Sequence, residues 1–301
     1  MGVCSGVEVA TLVFLFRVGF PVVGRFAAPG VYPMAGGSRG IPDDPLLGAR
    51  EKWEELPRLF AREENTELLW ESALRDVQRG WLRPPVPMDA LGRDNCLPVR
   101  RFGVPQGDKV RPCDNCRRSG TNTAAAVETP IVLPTFEDLL VAASLIRGMQ
   151  RPPFHRPCGF FKSDHADAYR QVPIAPAHAR FCVVTLKCPH SGRIMCFEPR
   201  TLLFGSTTAV LGYNLVARVV ATLFTRFFRL PLLNYFDDFA GCCPPEVLDL
   251  AQVAFTELND FLGFRCNYTK EECGPEINFL GLRCCVEPLS ASLPHDTRGR
   301  S

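Results

Sequence analysis

Two adjacent carboxylates lie inside an apolar run in the last third of the chain. Asp237 and Asp238 follow Tyr235-Phe236 and precede Phe239-Ala240-Gly241, and prolines flank the run on both sides. An apolar run bounded by turn-forming residues predicts a pair of buried strands with the aspartates at its tip. Carboxylates in such a place repel each other and lose hydration, so they need neutralising cations. The pair therefore predicts a divalent metal site of oxygen ligands, of the kind that Mg²⁺ prefers.

A second acidic cluster lies upstream, where Asp164 and Asp167 follow the short aromatic segment Gly159 to Phe161. This segment suits a strand that leads out to Asp164, and a turn after it would leave both carboxylates near one opening. An Asp-capped helical turn at a strand end is the alternative interpretation. Two-metal phosphoryl transfer, with ions about 3.5–4 Å apart, needs about three carboxylates from separate strands. Asp164, Asp237 and Asp238 would supply that set.

Both clusters and further segments, in the same order along the chain, resemble the reverse transcriptases of retrotransposons and retroviruses. Asp164 to Tyr169 is similar to the first catalytic motif of that family, and Tyr235 to Asp238 matches its Tyr-x-Asp-Asp motif. The other similar segments are Gly107 to Asp114 in the fingers, Leu133 to Leu140 with Leu-Pro-x-x-x-Asp-Leu-Leu, Leu202 to Ser206 with the apolar run after it, and Asn278 to Gly281 with Phe-Leu-Gly. The resemblance covers residues 98 to 287.

The resemblance implies an α+β fold of the right-hand polymerase type. It would have fingers and a ferredoxin-like palm of order β–α–β–β–α–β, with the thumb truncated or missing. The expected divisions are a poorly defined leader and Gly/Pro-rich linker (1–45), an N-terminal helical segment (46–90), fingers (91–157), a palm with the Asp triad and a primer-grip-like hairpin (158–287), and a tail (288–301). Phe181 to Lys187 and Arg193 to Phe197 are expected among the palm strands.

The activity implied by the resemblance is RNA-directed DNA polymerisation, a nucleotidyltransferase reaction that adds deoxynucleotides to a primer 3′-hydroxyl. Asp164, Asp237 and Asp238 would hold two Mg²⁺ ions, for which Mn²⁺ is a substitute. Lys270 would protonate the departing pyrophosphate, although an ordinary surface lysine is the alternative interpretation. The implied partners are an RNA or DNA template with its primer and deoxynucleoside triphosphates. Any thumb and RNase H domains would come from outside this chain.

The resemblance also assigns residues to the incoming nucleotide. These are Lys109, Arg111, Asp167, Ala168, Tyr169, Phe204 and Gly205. Lys109 and Arg111 would hold the triphosphate, one as a point charge and one as a bidentate fork. Tyr169 would exclude a ribose 2′-hydroxyl, unless its ring is a core aromatic. Phe204 and Gly205 would form the floor beside the base, because glycine permits close backbone approach.

Two other functions compete with this one. An RNA-dependent RNA polymerase shares the palm and the Asp pair, but Tyr169 and the Tyr-x-Asp-Asp form favour deoxynucleotides. A non-catalytic nucleic-acid-binding relic of a retroelement is the alternative from another class. Retention of three carboxylates weighs against a relic, and a truncated thumb weighs for it.

The patterns of charge and of cysteine restrict the kinds of partner that the chain is expected to bind. Residues 75 to 118 contain ten Arg or Lys against five Asp or Glu, which suits phosphate binding ahead of an acidic metal site. The N-terminal apolar run Val7 to Val23 is short and interrupted by Glu8, Arg17 and Pro21, so we expect no membrane partner and an intracellular location. Cys113 and Cys116 form one CxxC with no second pair, which favours buried thiols over a zinc site.

Overall fold

The computed structural model of the protein describes residues 6–26, 43–107, 109–127, 131–149 and 157–293. The helices are α1 (Gly6–Val18), α2 (Ala49–Phe60), α3 (Thr66–Gln78), α4 (Phe136–Met149), α5 (Thr207–Phe228) and α6 (Leu248–Leu262). The strands are β1 (Gly24–Phe26), β2 (Val86–Pro87), β3 (Pro98–Gln106), β4 (Lys109–Asp114), β5 (Ala125–Val127), β6 (Gly159–Asp164), β7 (Val183–Lys187), β8 (Ile194–Phe197), β9 (Leu232–Tyr235), β10 (Asp238–Cys243), β11 (Glu272–Gly274), β12 (Glu276–Phe279), β13 (Leu282–Val286) and β14 (Leu289–Ser292). Most of the predicted linker and the end of the predicted tail lie outside the described residues.

The chain divides into two compact units. The first unit comprises Met1–Ile131 and Tyr169–Tyr213, and the second comprises Val132–Ala168 and Asn214–Ser301. The boundaries predicted for the fingers (91–157) and the palm (158–287) stay predictions.

The first unit contains a five-stranded sheet of order β2-β8-β7-β3-β4. Strands β3 and β4 pair antiparallel as a hairpin, and Gly107 makes the turn with a φ of 58°. Helix α2 places its apolar face on this sheet, where Trp53, Leu56 and Phe60 are buried with Val183 of β7. The indole N–H of Trp53 donates to the carbonyl oxygen of Cys96 at 2.9 Å, so the buried ring keeps its polar atom bonded.

The position expected for two of the palm strands is wrong. Strands β7 and β8 do form a hairpin, but they belong to the first unit's sheet rather than to the sheet that carries the aspartates. Strand β7 pairs in parallel with β3, opposite Pro98 to Arg100, and four of its five residues are buried. Its apolar run is therefore the pattern of a strand covered on both faces. The turn signal between β7 and β8 is local and carries no information about which distant strand they join.

The N-terminal apolar run is not a poorly defined leader over residues 19–26. Phe20, Val22 and Val23 are buried, and β1 pairs in parallel with β5. The backbone N–H of Val22 also donates to Nδ1 of His178 at 3.3 Å. These residues thus form part of the first unit's fold.

The second unit is built on a four-stranded antiparallel sheet of order β11-β6-β10-β9. In chain order the strands are β6, β9, β10 and β11, with α5 after β6 and α6 after β10. The spatial order of the four strands is therefore fourth, first, third and second. This is the ferredoxin-like β–α–β–β–α–β arrangement expected for the segment that carries the aspartates.

Alternate residues of this sheet line two different cores. Phe160 of β6 and Ala240 and Cys242 of β10 pack with α4 and with a second sheet of order β12-β13-β14. On the other face Phe161 contacts Phe224 of α5, and Phe239 contacts Phe255 of α6. This period-two alternation buries both faces of β6 and β10 and fixes their register.

Helix α5 has the length and composition that a membrane span requires. Its most apolar window has a mean hydropathy of 1.4, and 72% of that window is buried inside the protein. A buried core helix passes the same test, so the property is weak evidence for a membrane location. It is the one helix of this kind within the described residues.

Candidate active site

The register of β6 and β10 brings the predicted carboxylates together. Asp164 ends β6 and Asp238 begins β10, and the two residues are direct partners across the antiparallel pair. Paired residues point to the same face, so both side chains lie on the face that buries Phe160 and Cys242 further along. Asp237 forms the turn before β10, and its carbonyl oxygen accepts the N–H of His165 at 3.0 Å. Three carboxylates therefore gather at one end of this sheet.

Two lysines neutralise this acidic end. Nζ of Lys270 donates to Oδ2 of Asp164 at 2.8 Å. Lys162, two residues before Asp164 on β6, has its Nζ 3.5 Å from Oδ1 of Asp238 and 3.8 Å from Oε1 of Glu272. Each of the two strand-end aspartates thus has its own ammonium partner.

The crowding of these charges shifts the pKa values of two residues in the site. Burial raises the pKa of Asp237, and the negative charges of Asp164 and Asp238 raise it further. The hydrogen bond to Asp164 raises the pKa of Lys270, so this lysine keeps its proton at neutral pH. A buried carboxylate with two anionic neighbours is a site that a cation would stabilise.

The donor set fits a hard divalent cation, although the side chains do not enclose one in this conformation. Within the described ranges, no three His, Cys, Asp or Glu side chains converge closely enough to enclose a metal ion. The bond from Lys270 uses one oxygen of Asp164, and Lys162 lies beside Asp238. Three carboxylates at a common strand end are nevertheless the oxygen ligands that Mg²⁺ and Mn²⁺ accept.

His165 supports the site from the core side of the sheet. Its ring lies 4.6 Å from the ring of Phe239 and stacks on Phe264 at 5.5 Å. Its Nε2 donates to Oδ1 of Asn259 at 2.7 Å, and Nδ2 of Asn259 donates to the carbonyl oxygen of Phe255. Burial lowers the pKa of His165 to about 4, so the ring is neutral at neutral pH. His165 thus fills a slot between aromatic rings directly behind Asp164.

Two backbone positions beside the carboxylates have left-handed conformations. Phe236, before Asp237, has a φ of 52°, and Asp167 has a φ of 55°. Such a φ is unusual for a bulky residue such as Phe, and strained backbone concentrates at functional sites. Oδ2 of Asp167 lies 3.9 Å from Nη2 of Arg265, and Ala168 is buried. Asp167 therefore shapes the turn after β6.

The first unit contains the aromatic residues assigned to the nucleotide. The ring of Tyr169 contacts Phe204 edge-on, with 5.0 Å between centroids and an interplanar angle of 81°. Tyr213 of α5 lies 5.3 Å from Tyr169 on another side. Phe204 is 49% exposed, so one part of this aromatic cluster remains open to a ligand.

Gly205 is required by a close approach of the Asp114 backbone, and its predicted place beside the base stays a prediction. Its φ is 111°, and a Cβ at this position would lie 2.2 Å from the carbonyl oxygen of Asp114. Nδ2 of Asn122 donates to the carbonyl oxygen of Gly205, and Oδ1 of Asn122 accepts the N–H of Thr207 at the start of α5. These contacts fix the segment that presents Phe204.

Lys109 and Arg111 lie apart from the aromatic cluster along β4. Both side chains are exposed on the β3–β4 hairpin, with Lys109 next to its turn. Asp114, which contacts Phe204 and Gly205, is at the other end of β4. At about 3.4 Å per residue, Lys109 is roughly 17 Å from Asp114 along the strand. The hairpin would need to bend toward a triphosphate for both groups to reach one nucleotide.

Several residues around these positions were missed by the sequence argument. Lys162 lies two residues before Asp164 on β6, so the two side chains point to the same face. This spacing is the sequence signal that would have placed Lys162 at the site. Arg170 follows Tyr169, and it binds Asp114 and Asp76 inside the first unit. No sequence spacing connects those three residues, so this ion cluster was not predictable from pattern alone.

A comparison with solved structures supports the fold. The chain is similar to the foamy viral protease-reverse transcriptase dRH, solved in complex with double-stranded DNA, with a TM-score of 0.51 and 14% sequence identity. The match covers 98% of this chain and 46% of the viral chain, so this chain spans less than half of that protein. No protein-family model matches the sequence. No curated protein matches it either.

The similarity establishes a reverse-transcriptase-like fold of the α+β type. At 14% identity the similarity shows the fold and not the activity. Function therefore has to be argued from the residues of the site.

Proposed function

We propose that this chain is a template-directed DNA polymerase of the reverse-transcriptase type. The observation that carries the proposal is the register of Asp238 opposite Asp164, with Asp237 in the adjoining turn. This register gathers the three carboxylates of the sequence motifs at one strand end, in a fold similar to that of a viral reverse transcriptase. The reaction would add deoxynucleotides to the 3′-hydroxyl of a primer on an RNA or DNA template.

In this proposal Asp164, Asp237 and Asp238 hold two Mg²⁺ ions, or Mn²⁺ in their place. Bound cations would neutralise charge that develops on the transferring phosphoryl group. Burial and the negative charges of Asp164 and Asp238 raise the pKa of Asp237, and a bound cation would favour its charged form. Lys270, which stays protonated beside Asp164, is suited to hold a proton for the leaving pyrophosphate.

The nucleotide would contact side chains of the first unit. Tyr169 and Phe204 offer two ring surfaces in edge contact, and Tyr169 would exclude the 2′-hydroxyl of a ribonucleotide. Lys109 and Arg111, exposed on their hairpin, would bind the triphosphate once the hairpin bends toward it. Asp167 and Ala168 would shape the turn beside the catalytic aspartate.

Primer extension tests the proposal directly. The chain is incubated with primed RNA or primed DNA, deoxynucleotides, and Mg²⁺ or Mn²⁺. Asp164→Asn and Asp237→Asn each remove one ligand charge with little change in size, so we expect roughly a 10³-fold loss of extension rate, corresponding to several kcal/mol of lost stabilisation. Asp43→Asn, an exposed aspartate in a loop, is the matched control and should keep full activity.

The same assay separates the alternatives. Near-normal turnover in Asp237→Asn would rule out the metal assignment. Equal use of ribonucleotides by the unmodified chain would indicate an RNA polymerase. Binding of primed template without extension under any metal condition would indicate a non-catalytic nucleic-acid-binding protein.

A further inference from the structure

A cluster of four charged side chains is buried in the first unit. Nε of Arg101 donates to Oδ1 of Asp114 at 2.8 Å, and its Nη2 donates to Oδ2 of Asp114 at 3.2 Å. Nη1 of Arg101 donates to Oδ2 of Asp76 at 2.8 Å. The side chains of Arg101 and Asp114 are 1% and 2% exposed. Two strands and helix α3 are therefore joined by charge-assisted bonds to an arginine that is almost fully buried.

Arg170 completes the cluster from a different part of the chain. Its Nη2 lies 3.3 Å from Oδ2 of Asp114 and 3.4 Å from Oδ2 of Asp76, and its side chain is 11% exposed. The four groups are two cations and two anions, so their formal charge cancels. The Nη1 atom of Arg170 is buried and has no hydrogen-bond partner among the described residues. Its long bonds make Arg170 the most weakly held member.

Asp114 connects this cluster to the segment that carries Phe204. Its backbone N–H donates to the carbonyl oxygen of Phe204 at 3.3 Å. Its own carbonyl oxygen occupies the place where Gly205 would otherwise have a Cβ. The backbone of Asp114 thus contacts Phe204 and Gly205, while its carboxylate binds Arg101 and Arg170.

Arg170 connects the same cluster to Tyr169, its neighbour in the chain. The two residues lie in the short 3-10 turn Ala168–Gln171, so a shift of the Arg170 backbone moves Tyr169 as well. The rings of Tyr169 and Phe204 meet edge-on at 5.0 Å. Both ring positions therefore depend on one residue, Asp114, through its backbone on one side and its carboxylate on the other.

We infer that Arg170 and Asp114 are positioning residues, which set the distance between Tyr169 and Phe204 and so the selectivity of the nucleotide pocket for deoxyribose. This inference rests on the proposed function. Neither residue needs to touch the nucleotide. A misplacement of about 1 Å at a reacting or selecting group is enough to cost about 10²-fold in rate, so a buried ion pair behind the pocket can control selectivity.

The first experiment changes Arg170 to Lys, which keeps the charge but has a shorter side chain, so its ammonium group falls short of the position that Nη2 occupies between the two carboxylates. Arg200→Lys, an exposed arginine in the same unit, is the matched control. We expect Arg170→Lys to raise the KM for deoxynucleotides roughly tenfold and to lower discrimination against ribonucleotides by a similar factor. The kcat at saturating nucleotide and the affinity for primed template should stay within about threefold of the unmodified chain.

A second variant perturbs the contact between Asp114 and the Phe204 segment. Gly205→Ala places a methyl group against the carbonyl oxygen of Asp114 and pushes the Phe204 segment away, with all four charges retained. The same rise in KM and the same loss of discrimination are expected. The double variant Arg170→Lys/Gly205→Ala should fall short of the sum of the two effects, since both act on one distance.

Hydrogen exchange separates a failure of this inference from a failure of the proposed function. In Arg170→Lys the backbone amides of residues 169–172 and 203–206 should exchange faster, whether or not the chain polymerises. An inactive unmodified chain would overturn the polymerase proposal alone. Unchanged exchange in both segments, or unchanged KM and discrimination in a folded active variant, would overturn the positioning role. If Arg170→Lys does not fold, the same measurements are made on Asp76→Asn, which removes only the second anion of the cluster. The expected and the contradicting outcomes are the same.

Discussion

Asp238 lies directly opposite Asp164 on neighbouring antiparallel strands, and a different lysine approaches each carboxylate. Lys270 reaches Asp164 from a short 3-10 turn, while Lys162 reaches Asp238 from within β6 itself. The two contacts differ in exposure, because the Lys162 side chain is 13% exposed and that of Lys270 is 54% exposed. Lys162 is therefore the more permanent counter-charge of the site.

Replacing Lys162 by Met should lower stability without metal and strengthen the response to metal. The change leaves Asp238 and Glu272 without their shared cation, and we expect a loss of about 1 kcal/mol, as for a partly exposed ion pair. Added Mg²⁺ should then raise the melting temperature of Lys162→Met more than that of the unmodified chain, since a ligand that binds the folded state stabilises it. Lys187→Met is the matched control in the other unit. Identical Mg²⁺ responses would contradict this role.

Replacing His165 by Ala should destabilise the second unit by about 3 kcal/mol, the usual cost of emptying a large buried site. The variant loses the ring contacts with Phe239 and Phe264 and leaves Oδ1 of Asn259 without its donor. Urea unfolding measures the difference. His190→Ala, at an exposed turn position, should have no measurable effect. A loss below about 1 kcal/mol for His165→Ala would show that the ring is loosely packed.

Sequence patterns indicate the local elements of this chain better than they indicate the distant strands with which those elements pair. The β3–β4 hairpin, helix α5 and the Thr135–Asp138 cap at the start of α4 are each formed by residues that are near each other in the chain. The strands β7 and β8 were assigned to the wrong sheet because parallel pairing with β3 is a contact across more than eighty residues. Residues 19–26 were misjudged for the same reason, since their partners lie near residues 124 and 174.

The candidate site shows the same limit. Asp164, Asp237 and Asp238 could be predicted because each belongs to a short motif in an apolar context. The roles of Arg101 and Arg170 could not be predicted. They depend on ion pairs with Asp114 and Asp76 inside the first unit, and no spacing in the sequence indicates those pairs. His165 is a polar residue at a buried position. Its neutral ring is hydrogen-bonded to Asn259 and packs as an apolar side chain would.

Replacing Tyr169 by Val should admit ribonucleotides if its ring forms one wall of the nucleotide pocket. The ring is partly exposed beside Phe204 and Tyr213, and its removal would open space where a 2′-hydroxyl would lie. We expect discrimination against ribonucleotides to fall by roughly 10²-fold, because a steric wall is replaced by free volume. Single-nucleotide addition with matched deoxy and ribo substrates measures the ratio. A folded variant with an unchanged ratio would mean that Tyr169 is a core residue.

Lowering the pH should weaken the attachment of the N-terminal segment through His178. Burial lowers the pKa of His178, and the charge of Arg180 lowers it further. Because the folded-state pKa lies below the ordinary value of 6.5, this group's stabilisation is complete above pH 6.5 and is lost as the pH falls through the folded pKa. Protonation of Nδ1 would also remove the acceptor for the N–H of Val22.

His178→Asn provides the control for that dependence. Its Oδ1 can accept the same N–H but does not titrate, so the stability of the variant should vary less between pH 7 and pH 5, a range chosen about the ordinary histidine pKa. Chemical unfolding at several pH values measures the slope. Parallel slopes for the unmodified chain and the variant would exclude His178 as the source.

Two glycines should respond to alanine in opposite directions. At Gly241 of β10 a Cβ would lie 2.3 Å from Cζ of Phe161 and 2.8 Å from the carbonyl oxygen of Pro231, so Gly241→Ala must displace a buried ring and a backbone. We expect a loss of about 3 kcal/mol, the upper range for overpacking. At Gly148, in the last turn of α4, nothing lies within 4 Å of a new Cβ, and alanine should add up to about 0.5 kcal/mol through helix propensity. Urea unfolding of both variants tests the packing of the sheet that carries Asp238, since a tolerated Gly241→Ala would mean that Phe161 does not pack across β10.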